Sequence, residues 1–144
     1  MAIATLEQIR AALLTALTAK LGTTDQQLSA YVLKQPTLPT IWIRLKPDVP
    51  ITYHLTLGST GGVQMWSFLV EAYCGDVGDV AAQKKLDSYV SAGSKSIVEA
   101  LLADQTLGGI VQTLKVPQCN AYVEFLRADG TAAIGANWEV DVYP

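Results

Sequence analysis

One stretch constrains this chain more than any other: "VQMWSFLVEAYC" at 63–74. In an extended backbone Trp66, Phe68, Val70 and Ala72 share one side. Val63, Met65, Leu69 and Tyr73 share the other. Side chains alternate along a strand, so a strand apolar on both faces has to be covered twice. It belongs in the middle of a layered structure. Before it, "TYHLTL" places Tyr53, Leu55 and Leu57 on one face, and "GSTGG" at 58–62 forms a turn. The two strands around that turn predict a long hairpin.

Further upstream, "TIWIRLK" alternates Ile41, Ile43 and Leu45 against Trp42, Arg44 and Lys46, until Pro47 and Pro50 break it. Ile3, Leu6, Leu13, Leu17 and Leu21 fall at helical spacing and predict a helix over 3–21. Glu7 near its start and Lys20 at its end suit the helix dipole, and Gly22 supplies a stop. Glu7, Thr15 and Thr18 argue against reading this segment as a signal peptide. Residues 23–39 read as a polar connector, closed by Pro36 and Pro39 and pinned by Leu28, Tyr31 and Val32.

Downstream, Asp79 is a candidate N-cap for a helix whose apolar face carries Val80, Leu86, Tyr89 and Val90. That helix breaks around Gly93. Ser96 and Glu99 have capping-box spacing for a second helix that carries Ile97, Val98, Leu101 and Leu102. It runs into "DQTLGG", then "IVQTLKV", which stops at Pro117. "NAYVEFLR" sets Tyr122, Glu124 and Leu126 against Ala121, Val123 and Phe125. "ADGT" is a hairpin turn. The last strand puts Ile134, Trp138, Val140 and Val142 on one side, with Asn137, Glu139, Asp141 and Tyr143 on the other. The fold class is therefore α+β: a single domain over 1–144, mainly an antiparallel sheet with a long β-hairpin and helices packed on one face.

Composition narrows function. Half of the 144 residues are apolar and only 16% are charged, a surplus that suits a subunit interface. The net charge is −3 and the ten basic residues are scattered, so no direct nucleic-acid binding is expected. No apolar run approaches the ~20 residues of a membrane span. Cys74 and Cys119 are read as two buried, reduced thiols; with one histidine they do not make a metal site.

No enzyme is visible. His54, the only histidine, has no local nucleophile and carboxylate to complete a triad. "TLGG" cannot cradle a phosphate, because nucleotide loops run strand, glycines, helix. Here the helix comes first, and the negative end of its dipole would repel an anion. Glu139 and Asp141 lie on one strand face and are read as solvated or interfacial. Trp42 with Arg44 and Lys46 is the one place for an aromatic-basic patch. No cofactor is expected.

The block "SIVEALLADQTLGGIVQTLKV", preceded by "AAQKKLDSYVS" and followed by "GANWEVDVY", resembles the tail terminator family of long-tailed phages. The carrying positions are Ser96-Ile97, Ala100-Leu101, Asp104, Thr106 to Gly109, and Gly135-Ala136 with Trp138 and Val140. Element order and length match over nearly the whole chain. The resemblance implies a non-enzymatic virion protein, present in host cytoplasm during assembly. It would form a homo-hexameric ring that caps the head-proximal end of the tail tube and presents a surface to head-completion and neck proteins. Expected ring contacts are Trp66 and Phe68 on the hairpin strands, the acidic face of Glu139 and Asp141, and the tip Gly58, Ser59 and Thr60. Two alternatives stand beside it. One is another neck, head-completion or tube-like subunit. The other is a small binding module using Trp42, Arg44 and His54.

Overall fold

The computed structural model describes residues 4–34, 36–48, 50–53, 64–127 and 130–144. The chain begins with helix α1, Leu6–Leu21. Thr5 caps it in a full capping box: its hydroxyl accepts from Gln8 N, and the Gln8 side chain accepts from Thr5 N. Ile9, Leu13, Leu17 and Leu21 form the buried stripe, so Ile9 takes a place that the sequence reading had not given it. Ile3 lies outside the described residues.

Six strands follow in one sheet: β1 Gln27–Ser29, β2 Thr40–Leu45, β3 Ile51–Thr52, β4 Met65–Asp76, β5 Thr113–Leu126 and β6 Ala132–Tyr143. Their order is β1-β2-β4-β6-β5, and β3 pairs with β4 just past the end of β2. The β1–β2 pair is parallel, and the other described pairs are antiparallel. Two helices, α2 Val80–Val90 and α3 Ile97–Leu102, connect β4 to β5. The architecture is α+β, as the patterning predicts.

The doubly apolar stretch becomes β4, the middle strand. Ile43 and Val70 are register partners, as are Val70 and Trp138, so one apolar layer runs across β2, β4 and β6. All three helices bury their apolar stripes on this side, against Phe68, Val70, Ala72, Trp138 and Val140. Fully burying a side chain of the Val, Leu or Phe class contributes about 1.5–3 kcal/mol. The opposite side of β4 is covered without helices. Trp42, Tyr73 and Ala133 form a second cluster there, with Leu33, Leu38 and Phe125 packed against it. The Trp42 and Phe125 rings meet edge-on at 5.9 Å. Under this cluster Gly135 has no room for a side chain, because a Cβ would lie 2.2 Å from the Ala72 carbonyl oxygen.

Three expectations change. The connector at 23–39 contains β1, a three-residue strand too short for periodicity to reveal. Leu28 packs against the core, but Tyr31 and Val32 are exposed rather than pinning. Pro117 does not end a strand: β5 runs through it, with register slips between Lys115 and Gln118 and between Asn120 and Val123. Proline survives on an edge strand at a bulge, where no ladder hydrogen bond is required of it. In α3 Ala100 is buried while Leu102 is exposed, because a six-residue helix offers one narrow stripe. Of the predicted hairpin around 58–62, the described part is Ile51 opposite Trp66 and Thr52 opposite Met65. Residues 54–63, with His54, Leu55 and Leu57, lie outside the described residues. Tyr53 is exposed.

Candidate interaction surface

The hairpin base, the helix-free sheet face, the "DQTLGG" joint and the β5 edge are the regions on which an interaction could rest. At the hairpin base, Trp66 is half-buried against the core, and its indole donates to Gln64 Oε1 at 3.2 Å. Phe68, two residues on, is fully buried. It points into the layer beneath the helices and has no surface to give a neighbour. Its expected contact role is therefore corrected to a core role. Gly58, Ser59 and Thr60 lie outside the described residues.

The sheet face away from the helices carries a ladder of polar pairs. Lys46 Nζ donates to Glu139 Oε1 at 2.8 Å, and Gln118 donates to Glu139 Oε2 at 2.7 Å. Ser67 donates to Asp141 at 2.8 Å, and Asn120 to Asn137 at 3.1 Å. The Lys46 hydrogen bond holds the Glu139 carboxyl below the usual carboxylate range, while partial burial opposes the shift. The same hydrogen bond raises the Lys46 ammonium. Glu139 and Asp141 do share one face, as alternation requires, and both are engaged within the chain.

Trp42 does not form an aromatic-basic patch. It is buried, and its indole donates to Glu71 Oε1 at 2.9 Å. Glu71 also accepts from the Tyr73 hydroxyl at 3.2 Å. Arg44 Nε lies 2.8 Å from the same carboxylate, an ion pair without hydrogen-bond alignment. A buried carboxylate needs such partners, and here they are the residues that a binding reading would have used. Burial, and then the Glu71 charge, push the Tyr73 phenol well above its usual value.

The "DQTLGG" joint is a self-bonded turn. Asp104 accepts from Thr106 N at 3.1 Å, Thr106 Oγ1 at 2.9 Å and Gly108 N at 2.8 Å. The Gly108 backbone bond is the largest cause of its lowered pKa. Leu107, Gly108 and Gly109 take φ of 50, 73 and 90°. Left-handed backbone costs an L-residue about 1–2 kcal/mol, which glycine avoids. Leu107 bears that cost while burying its side chain in the core. Ser96 caps α3 by accepting from Glu99 N at 3.3 Å. The Glu99 carboxylate turns to Gly93 N and Lys20 instead, so the expected box is half made.

One of the two thiols departs from expectation. Cys74 is buried, and desolvation pushes it up to about 12. Cys119 is exposed on β5. That strand is where the sequence reading missed most. Its outer side has no partner strand among the described residues, and of its residues only Leu114 is buried. The signal was present: Pro117 inside the run is an edge-strand residue.

Among the described residues, no helix is long and apolar enough to cross a membrane. No protein-family model matches the chain, and no curated protein matches its sequence.

Proposed function

We propose that this chain is a structural subunit of a phage tail terminator ring. The ring would cap the head-proximal end of the tail tube, halt its polymerisation, and offer its other surface to head-completion and neck proteins. It would assemble in host cytoplasm and remain in the virion. The observation that carries this reading is the exposed 14-residue edge strand β5 on a sheet whose apolar faces are otherwise used internally. A subunit that stands side by side with copies of itself needs such an edge. The order of elements, from the leading helix through the "DQTLGG" joint to the final hairpin, also suits the family that the sequence resembles.

Two measurements test it. Sedimentation of the purified protein should show a ring-sized species at high concentration or in the presence of tube protein. Tube polymers mixed with the protein should stop growing. A chain that neither assembles nor stops tubes would exclude the reading. An open edge also suits a tube-like subunit, since a head-to-tail contact that fails to close makes a filament. Negative-stain images showing long tubes of this protein alone would favour that second reading.

A further inference from the structure

The sheet ends in two edges of different character. At the β5 edge, Val77, Val80, Tyr122 and Leu126 are all exposed, Leu126 to 73% and Val80 to 62%. They share one corner. Arg127, just after β5, pairs with Asp76 at the end of β4, and Val77 N donates to the carbonyl of Ala132, the register partner of Leu126. Tyr122 donates to Asp87 on α2. Carboxylates stand beside this corner: Asp76 paired with Arg127, Asp79 at the α2 N-cap, Asp87 accepting from Tyr122, and Glu124 on β5 between Tyr122 and Leu126. Its bases are Arg127, held by Asp76, and Lys84, while Lys85 lies over the Tyr89 ring. Glu124 is exposed and has no ion-pair partner among the described residues.

The opposite edge is the reverse in charge. After β1 the chain exposes Tyr31 to 52% and Val32 to 54%. Arg10 lies over the Tyr31 ring at 4.6 Å and donates to the Ala30 and Ile43 carbonyls. Lys34 is exposed and has no ion-pair partner among the described residues. No acidic residue occurs between Asp25 and Asp48; Arg44 and Lys46 in that span are paired with Glu71 and Glu139, so Lys34 beside Arg10 supplies the edge's open positive charge.

We infer that copies of this chain join head to tail, the acidic-rimmed Tyr122–Leu126 corner of one seated on the basic-rimmed Tyr31–Val32 edge of the next. The two patches are four strand spacings apart, about 20 Å. They are different surfaces, so the contact repeats sideways instead of closing a two-fold dimer. Their opposite charges orient the approach and disfavour like edges meeting. This assignment rests on the reading of the chain as a ring subunit, and names the partner and the contact for it.

Cross-linking in a Cys119→Ser background tests it. A Val32→Cys chain mixed with a Leu126→Cys chain should give a mixed product with a short bismaleimide, and each alone should give little. In sedimentation, Lys34→Glu and Glu124→Lys should each weaken self-association at least tenfold, with unchanged circular dichroism. The two changes combined in one chain should restore it. Leu126→Cys chains that cross-link to one another as readily as to Val32→Cys chains overturn the contact. So do charge reversals that leave assembly at wild-type strength; in both cases the ring reading survives. A wild-type chain that stays monomeric to millimolar concentration also overturns the contact, and tube capping then decides the functional reading separately.

Discussion

β4 and β5 are nearly equal in length, 12 and 14 residues, and are separated in the sheet by one strand. Every residue of β4 from Ser67 to Cys74 is buried, whereas β5 buries only Leu114. Hydropathy alone does not explain this, since β5 also carries Val116, Tyr122, Val123, Phe125 and Leu126. Position does. β4 has strands on both sides, helices on one face and the aromatic cluster on the other. Among the described residues β5 has one strand neighbour, and α2 reaches its far half through the Tyr122–Asp87 hydrogen bond without burying it. The comparison moves the expected contact surface. The doubly apolar strand is saturated by its own chain, and the outer strand is the one left with apolar area to share.

The sharpest way to break this comparison is truncation on β4. Phe68→Ala should cost about 3–5 kcal/mol in urea unfolding, because the site is fully enclosed and cannot collapse. A cost below 1 kcal/mol would mean that Phe68 faces outward, and would return the hairpin strand to the list of contact surfaces. Next comes the close approach beneath the aromatic cluster. Gly135→Ala places a methyl group against the Ala72 carbonyl and the Tyr73 ring, and should cost about 1–3 kcal/mol. Near-UV circular dichroism should report loosened Tyr and Trp packing in the same variant.

A smaller effect is expected from the polar ladder. The folded pKa of Glu139 is depressed, so its contribution is present above the usual 4.5 and lost as pH falls through the folded value. The folded pKa of Lys46 is raised, so its contribution is present below 10.5 and lost as pH rises through the folded value. The stability difference between wild type and Lys46→Met should therefore be flat between these limits and shrink beyond both. A difference that grows on acidification would show that the pair does not form. The smallest change is expected at the far end of β5. Leu126→Ser should alter monomer stability by no more than about 0.5 kcal/mol, while weakening self-association. A large loss of monomer stability would place Leu126 in a core and erase the contrast with β4.

Much of the fold was legible in the residues. Trp138, Val140 and Val142 against Glu139 and Asp141 alternate as half-covered strands do, and the apolar set Ile41 and Ile43 of β2 faces the helices as its spacing predicts. Asp79 and Ser96 cap the helices that their positions predict. The candidate site was less legible. Phe68 and Trp66 share a strand face in the sequence, yet one is sealed beneath the helices and the other sits at the rim. Trp42 reads as half of a basic patch, until Glu71 from the neighbouring strand supplies its hydrogen-bond partner. Such pairings join residues far apart in the chain, and no local pattern encodes them.

By itself, the sequence determined the helices and the longer strands apart from the run of β5 through Pro117, that β4 lies centrally, and that "DQTLGG" is a helix-to-strand turn. Periodicity, caps and glycine conformations are local, and a few neighbouring residues suffice to specify them. Only the tertiary structure decided which apolar side chains remain exposed. Exposure depends on how many layers arrive from elsewhere in the chain, and among the described residues no strand lies beyond β5 to cover it.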